Sequence, residues 1–187
     1  MRHLILILTL ALAPVALLAV EEDAPAASAR AGEATEENKD PAIGHMESLA
    51  KAGIEKALEV VQQSRGFYPF ALVLNDQGQV RLIGYQGEPG QRPGTDDFAA
   101  GLFLQLRNEA QSDSSLIAAS VFKPMRVKAD DGSDIPGVWS AVDHRQAPSF
   151  VMFQPLIQKE PGRYVMGDII YQKSTEPIFI DPAANGD

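Results

Sequence analysis

The residues most able to do chemistry are few. Asp143, His144 and Arg145 stand side by side at the end of an apolar run. A histidine beside an acid suggests a general base, so one reading is a hydrolase using His144. Neighbouring strand residues point to opposite faces, however, so Asp143 is badly placed to orient His144. No serine sits in a G-x-S-x-G context. The competing reading, a solvated strand end, is preferred. His45 is the other histidine outside the N-terminal apolar run, and the pair has no HxH or HExxH spacing. That argues against zinc. Asp130, Asp131 and Asp134 surround Gly132 and Ser133, but the acids do not alternate and no glutamate closes the loop. A polar hairpin tip is expected there, not a calcium site. The chain has no cysteine, which removes thiol nucleophiles, thiolate ligands and redox pairs. No catalytic residue, metal or cofactor is therefore expected.

A glycine-rich loop, GEPGQRPGTDD, runs into a helix start. Glycines ahead of a helix N-terminus can hold phosphate. Here there is no G-x-x-x-x-G-K-[ST], and Asp96 and Asp97 would repel an anion, with Arg92 a partial offset. Recognition residues of another kind remain. Tyr68, Tyr85, Trp139, Tyr164 and Tyr171 are the amphipathic aromatics. Trp139, Tyr68, Tyr85, Arg92 and His144 form the candidate binding surface. A sheet face left uncovered around Trp139 would mark a site for a protein partner or a homodimer.

These residues must be positioned by a core, and the chain divides accordingly. MRHLILILTLALAPVALLAV has the pattern of a secretory leader: Arg2 first, an apolar run from Leu4 to Ala13, then Pro14, Leu17 and Ala19. Cleavage after Ala19 is expected, with Ala26–Ala29 as a second choice and an uncleaved anchor as the alternative. Residues 1–19 are thus assigned to the leader and 20–42 to a disordered acidic spacer. That spacer holds seven acids against Arg30 and Lys39, and it lacks the large apolar side chains that offset ordering entropy. Residues 43–180 are assigned to one α+β domain and 181–187 to a frayed tail. The expected location is periplasmic or secreted, without stable membrane association after cleavage. No basic footprint for nucleic acid exists.

Within residues 43–180 the periodicities give an order. Asp40 and Pro41 suit a helix start. Ile43, Met46, Ala50, Ile54, Ala57, Leu58 and Val61 make its apolar stripe. A hairpin follows, Phe67–Leu74 and Val80–Tyr85, turning at Asn75-Asp76-Gln77-Gly78. Pro69 places its first part at an edge or bulge. Thr95 caps a second helix, with Phe98, Leu102, Phe103, Leu106 and Ala110 inward. Four strands follow: Leu116–Val127 interrupted by Pro124, Val138–His144, Phe150–Ile157 with Pro155 at an edge or bulge, and Arg163–Tyr171. The predicted architecture is α-β-β-α-β-β-β-β, one mainly antiparallel sheet with two helices packed on one face.

Profilin-like and roadblock-like domains have a similar order of elements, which carries little about function. The hairpin Phe67-Tyr68-Pro69-Phe70-Ala71, with Gly78 at its turn, resembles that of small bacterial proteins of unknown function. The resemblance would cover residues 43–172 and implies a fold but no activity. The function expected is a binding or protein-interaction module without catalysis. The alternatives are an inhibitor or immunity-type protein acting on a periplasmic enzyme or toxin, and the His144 hydrolase.

Overall fold

A computed structural model of the protein describes residues 40–64 and 66–180. The expected leader, the expected spacer up to residue 39 and the expected tail 181–187 lie outside them. Helix α1 spans Pro41–Ser64, strands β1 and β2 span Phe70–Asn75 and Val80–Gly84, and helix α2 spans Thr95–Ser112. Then come β3 (Leu116–Lys128), β4 (Asp134–His144), β5 (Ala147–Glu160), β6 (Arg163–Met166) and β7 (Ile170–Lys173). The strands form one antiparallel sheet in the order β2-β1-β3-β4-β5-β6, with β7 also on β5. The α+β class and the order of the first six strands follow the expectation.

Helix α1 begins where its chemistry says. The Asp40 carboxylate accepts the Ala42 N–H at 2.9 Å, satisfying one donor that no helical carbonyl can reach. Ala42 is buried, so the spacer boundary at residue 42 falls too late. The buried stripe is Ala42, Met46, Leu49, Ala50, Gly53, Ile54, Ala57 and Val61. Gly53 belongs to it because the Phe122 ring lies directly against its Cα: a Cβ there would stand 1.9 Å from the Phe122 Cζ. Helix α2 starts differently from the expectation. Gly94 is its N-cap and no side chain caps it. Thr95 is instead the first helical residue, followed by Asp96 and Asp97 in the favourable first turn.

The placement of the helices is corrected by the packing. Phe70, Leu72 and Leu74 of β1 pack with α1, together with Phe122, Val138, Val142 and Met152. Ala71 and Val73 pack with Leu102, Leu106 and Ala110 of α2. Side chains alternate along a strand, so the helices cover opposite faces and not the same one. The physical reason is β1 itself. FALVLN is apolar at nearly every position and buried along its length, and a strand of that kind needs cover on both sides.

Three prolines mark the remaining differences. Pro69 is not at an edge or bulge: it is buried immediately before β1, an interior strand, so its missing N–H lies outside the ladder. Pro124 does not interrupt β3. Pairing with β1 stops at Phe122, while pairing with β4 continues through Pro124 to Lys128, leaving one side open where no donor is required. Pro155 stands where β5 exchanges neighbours, β7 along Phe150–Phe153 and β6 from Leu156 onward. That exchange divides the expected strand 163–171 into β6 and β7. Gly167 lies between them, donating to the Pro155 carbonyl at 2.9 Å and accepting from Gln154 Nε2 at 2.6 Å.

Candidate functional site

The five residues of the expected surface are distributed over three places. His144 ends β4 on the α1 face and is 4% exposed. It is neither a solvated strand end nor part of a surface. Its Nε2 lies 3.3 Å from His45 Nδ1, and its Nδ1 accepts the Gln146 N–H at 3.0 Å. An acceptor at Nδ1 leaves the proton of neutral His144 on Nε2, directed at His45. Burial pushes the His144 pKa down, the His45 charge adds to this, and Asp40 opposes both. Asp143 faces the other way, as alternation requires. Its carboxylate accepts the backbone N–H groups of Ile178, Phe179 and His144. Burial raises its pKa and those three amides pull against the rise. Asp143 thus clamps the C-terminal segment across the α2 face and does not touch the imidazole.

Tyr68, Tyr85 and Arg92 do come together, around Phe98 of α2. The Tyr68 ring stacks on Phe98 at 5.0 Å and meets Tyr85 edge-on at 5.8 Å. The Arg92 guanidinium covers both tyrosines, 5.1 and 5.9 Å from the ring centres. The hydroxyls are already engaged. Tyr68 donates to the Pro93 carbonyl at 2.8 Å and Tyr85 to the Glu88 carbonyl at 3.2 Å. This cluster fastens the Gly/Pro loop onto the hairpin and α2. The neighbouring Pro69 and Phe70 are buried, and Phe70 stacks on Phe122 at 5.0 Å. In the FYPFA stretch, packing and loop fastening thus account for Tyr68, Pro69 and Phe70.

Trp139 occupies the third place, and here the geometry leaves room. It is on β4, facing the same side as α2. Helix α2 lies over β1 and β3 and reaches β4 through Phe103, leaving a gap between the helix, the sheet and residues 172–176. The result is a cleft of about 560 Å³. Its walls are Ala99, Ala100, Phe103 and Leu104 from α2, Ala141 and Val151 from the sheet, and residues 172–176. Phe103 and Trp139 are 6.1 Å apart and tilted by 58°. Lys123, directly opposite Trp139 in the β3–β4 register, places its Nζ 5.3 Å over the indole and 2.7 Å from Asp96. Arg107 lies 5.9 Å over Phe103 and donates to the Pro177 carbonyl at 3.0 Å.

Two other clefts frame this one. A larger one of about 1190 Å³ runs past Phe67, Met125, Ile135, Pro155 and Tyr164, and shares Lys123 and Asp96 with the Trp139 cleft. An apolar one of about 420 Å³ lies between α1 and the β5–β7 strands. None of the three is lined by His144. Among the described residues no group of three or more His, Cys, Asp or Glu side chains is placed to hold a metal ion. No helix among them is long and apolar enough to cross a membrane.

Sequence reasoning selects Trp139 but misses the residues that surround it in the cleft. Arg107 follows Phe103 by one helical turn, a spacing that places both on one side of α2. Phe103 itself was assigned to the buried face. Lys123 had no local signal, because only the β3–β4 register sets it against Trp139. The contact of His45 with His144, across 99 residues, was equally invisible. No family model, curated protein or solved structure matches the chain.

Proposed function

We propose that the protein is an exported binding module that acts without catalysis, and that the Trp139 cleft is its ligand site. One observation carries the reading: the chain's sole tryptophan is half-buried in a cleft whose volume lies within the range of about 300–1,000 Å³ usual for small-ligand sites. The cleft joins an apolar floor to a few polar groups, the combination that orients ligands. The absence of catalysis is argued from His144. Both its nitrogens are engaged by protein groups, and the adjacent carboxylate is held on the opposite face. Export is supported by the leader pattern of Arg2, Leu4–Ala13 and Ala19.

The site is tested by a fragment screen using saturation-transfer NMR on the protein and on Trp139→Ala. Fragments that bind the first and not the second support the reading. A set of fragments binding both equally would place the site elsewhere. Export is tested by fusing alkaline phosphatase after the spacer. Reporter activity that depends on residues 1–19 is expected, and activity independent of them would refute the assignment.

A further inference from the structure

We infer that the Trp139 cleft selects an organic anion with a flat apolar body, an inference that rests on the cleft being the ligand site. The argument is one of depth. The two cations that flank the aromatic floor are withdrawn: the side chains of Lys123 and Arg107 are 25% and 28% exposed. The acids paired with them are outside: Asp96 and Glu176 are 84% and 80% exposed, and the buried Asp143, which also acts on Arg107, already accepts three backbone N–H groups. Water and salt screen the outer charges much more than the inner ones, so a ligand entering the cleft meets a positive interior. Asp96 is mostly in solvent, where screening weakens its hold on Lys123. An incoming carboxylate, sulfonate or phosphate can therefore replace Asp96 on Lys123 without a large loss.

The aromatic side of the site sets the rest of the ligand. Phe103 and Trp139 offer ring surface continuous with Ala99, Ala100 and Val151, which suits a planar apolar body. The setting makes the selection unusual. The chain carries a net charge of −9 and repels anions at long range, so attraction of an anion has to come from the cations in the cleft.

The test uses the purified full chain and two probes sharing the same rings: anilinonaphthalene sulfonate, which is anionic, and phenylnaphthylamine, which is neutral. Trp139 is the sole tryptophan, so energy transfer from indole emission reports probe bound beside it. The sulfonate is expected to quench Trp139 and to bind about ten-fold more tightly than the neutral amine. Lys123→Gln is expected to weaken the sulfonate by about three- to ten-fold, Lys123→Arg to keep it, and both to leave the amine unchanged. Near-ultraviolet circular dichroism confirms that the variants are folded. Equal affinity for both probes, or sulfonate binding indifferent to the charge at Lys123, overturns the anion inference while leaving the cleft as the site. Failure of both probes to quench Trp139, in a protein with its native spectrum, removes the cleft reading itself.

Discussion

At the scale of single residues, close approach and burial decide what each position tolerates. Gly53 is fixed by the Phe122 ring. Gly53→Ala must displace that ring or the helix, and the expected cost is about 1–3 kcal/mol, read as a lower urea midpoint. Unchanged stability would mean that α1 shifts freely over the sheet. His144 makes a prediction with a definite sign. Its folded pKa lies below the ordinary 6.5, so below that value the unfolded chain binds the proton more readily. Its contribution is present above pH 6.5 and is lost as the pH falls through the lowered folded value. Asp143, with its carboxyl raised by burial, works in the opposite direction: stability falls as pH rises through its titration. Urea titrations of the wild type should show weakening as the pH is lowered below 6.5, and His144→Gln should reduce that slope. An identical slope in the variant would mean that another group sets it. The motif Asp143-His144 was visible in the sequence, and so was the opposite direction of its two side chains. The depth of His144 was not, because it depends on α1 crossing above it.

At the scale of elements, the local signals and the structure agree where the signals are local. Asp40 and Pro41 open α1, and Gly78, Gly132 and Gly162 take the positive φ their hairpins require. Asp40→Ala removes the cap and should cost about 1 kcal/mol, with fraying confined to the first turn by hydrogen exchange. Loss of exchange protection along all of α1 would show that the cap governs more than its own end. The failures have one origin, that a face needs a partner to define it. An all-apolar β1 says that it is buried and not which helix lies on which side. The stretch 163–171 has a strand's composition, and its division into β6 and β7 comes from Pro155 on the neighbouring β5.

At the scale of the whole molecule, the C-terminal segment joins the parts. Ile178 is buried in the cluster beneath α2, its N–H is held by Asp143, and Arg107 anchors the Pro177 carbonyl beside the Trp139 cleft. Ile178→Ala should therefore destabilise the fold by about 2–4 kcal/mol and weaken ligand capture at the cleft as well. A variant that loses stability but retains full affinity would separate the segment from the site. Of the expected surface, Trp139 lines the cleft, Tyr68, Tyr85 and Arg92 fasten a loop, and His144 is interior. Composition marked all five as interesting. Only the sheet register and the reach of α2 decide which of them lines a cleft.

The central claim is that ligands enter beside Trp139. The most direct measurement is the indole N–H resonance of this single tryptophan in a proton–nitrogen correlation spectrum during titration with anilinonaphthalene sulfonate. The account predicts a saturable shift of that resonance, with accompanying shifts in the backbone amides of Ala100, Phe103 and Val151. A stationary indole resonance, with shifts gathered instead on Met125, Ile135 and Tyr164 of the larger cleft, would contradict it.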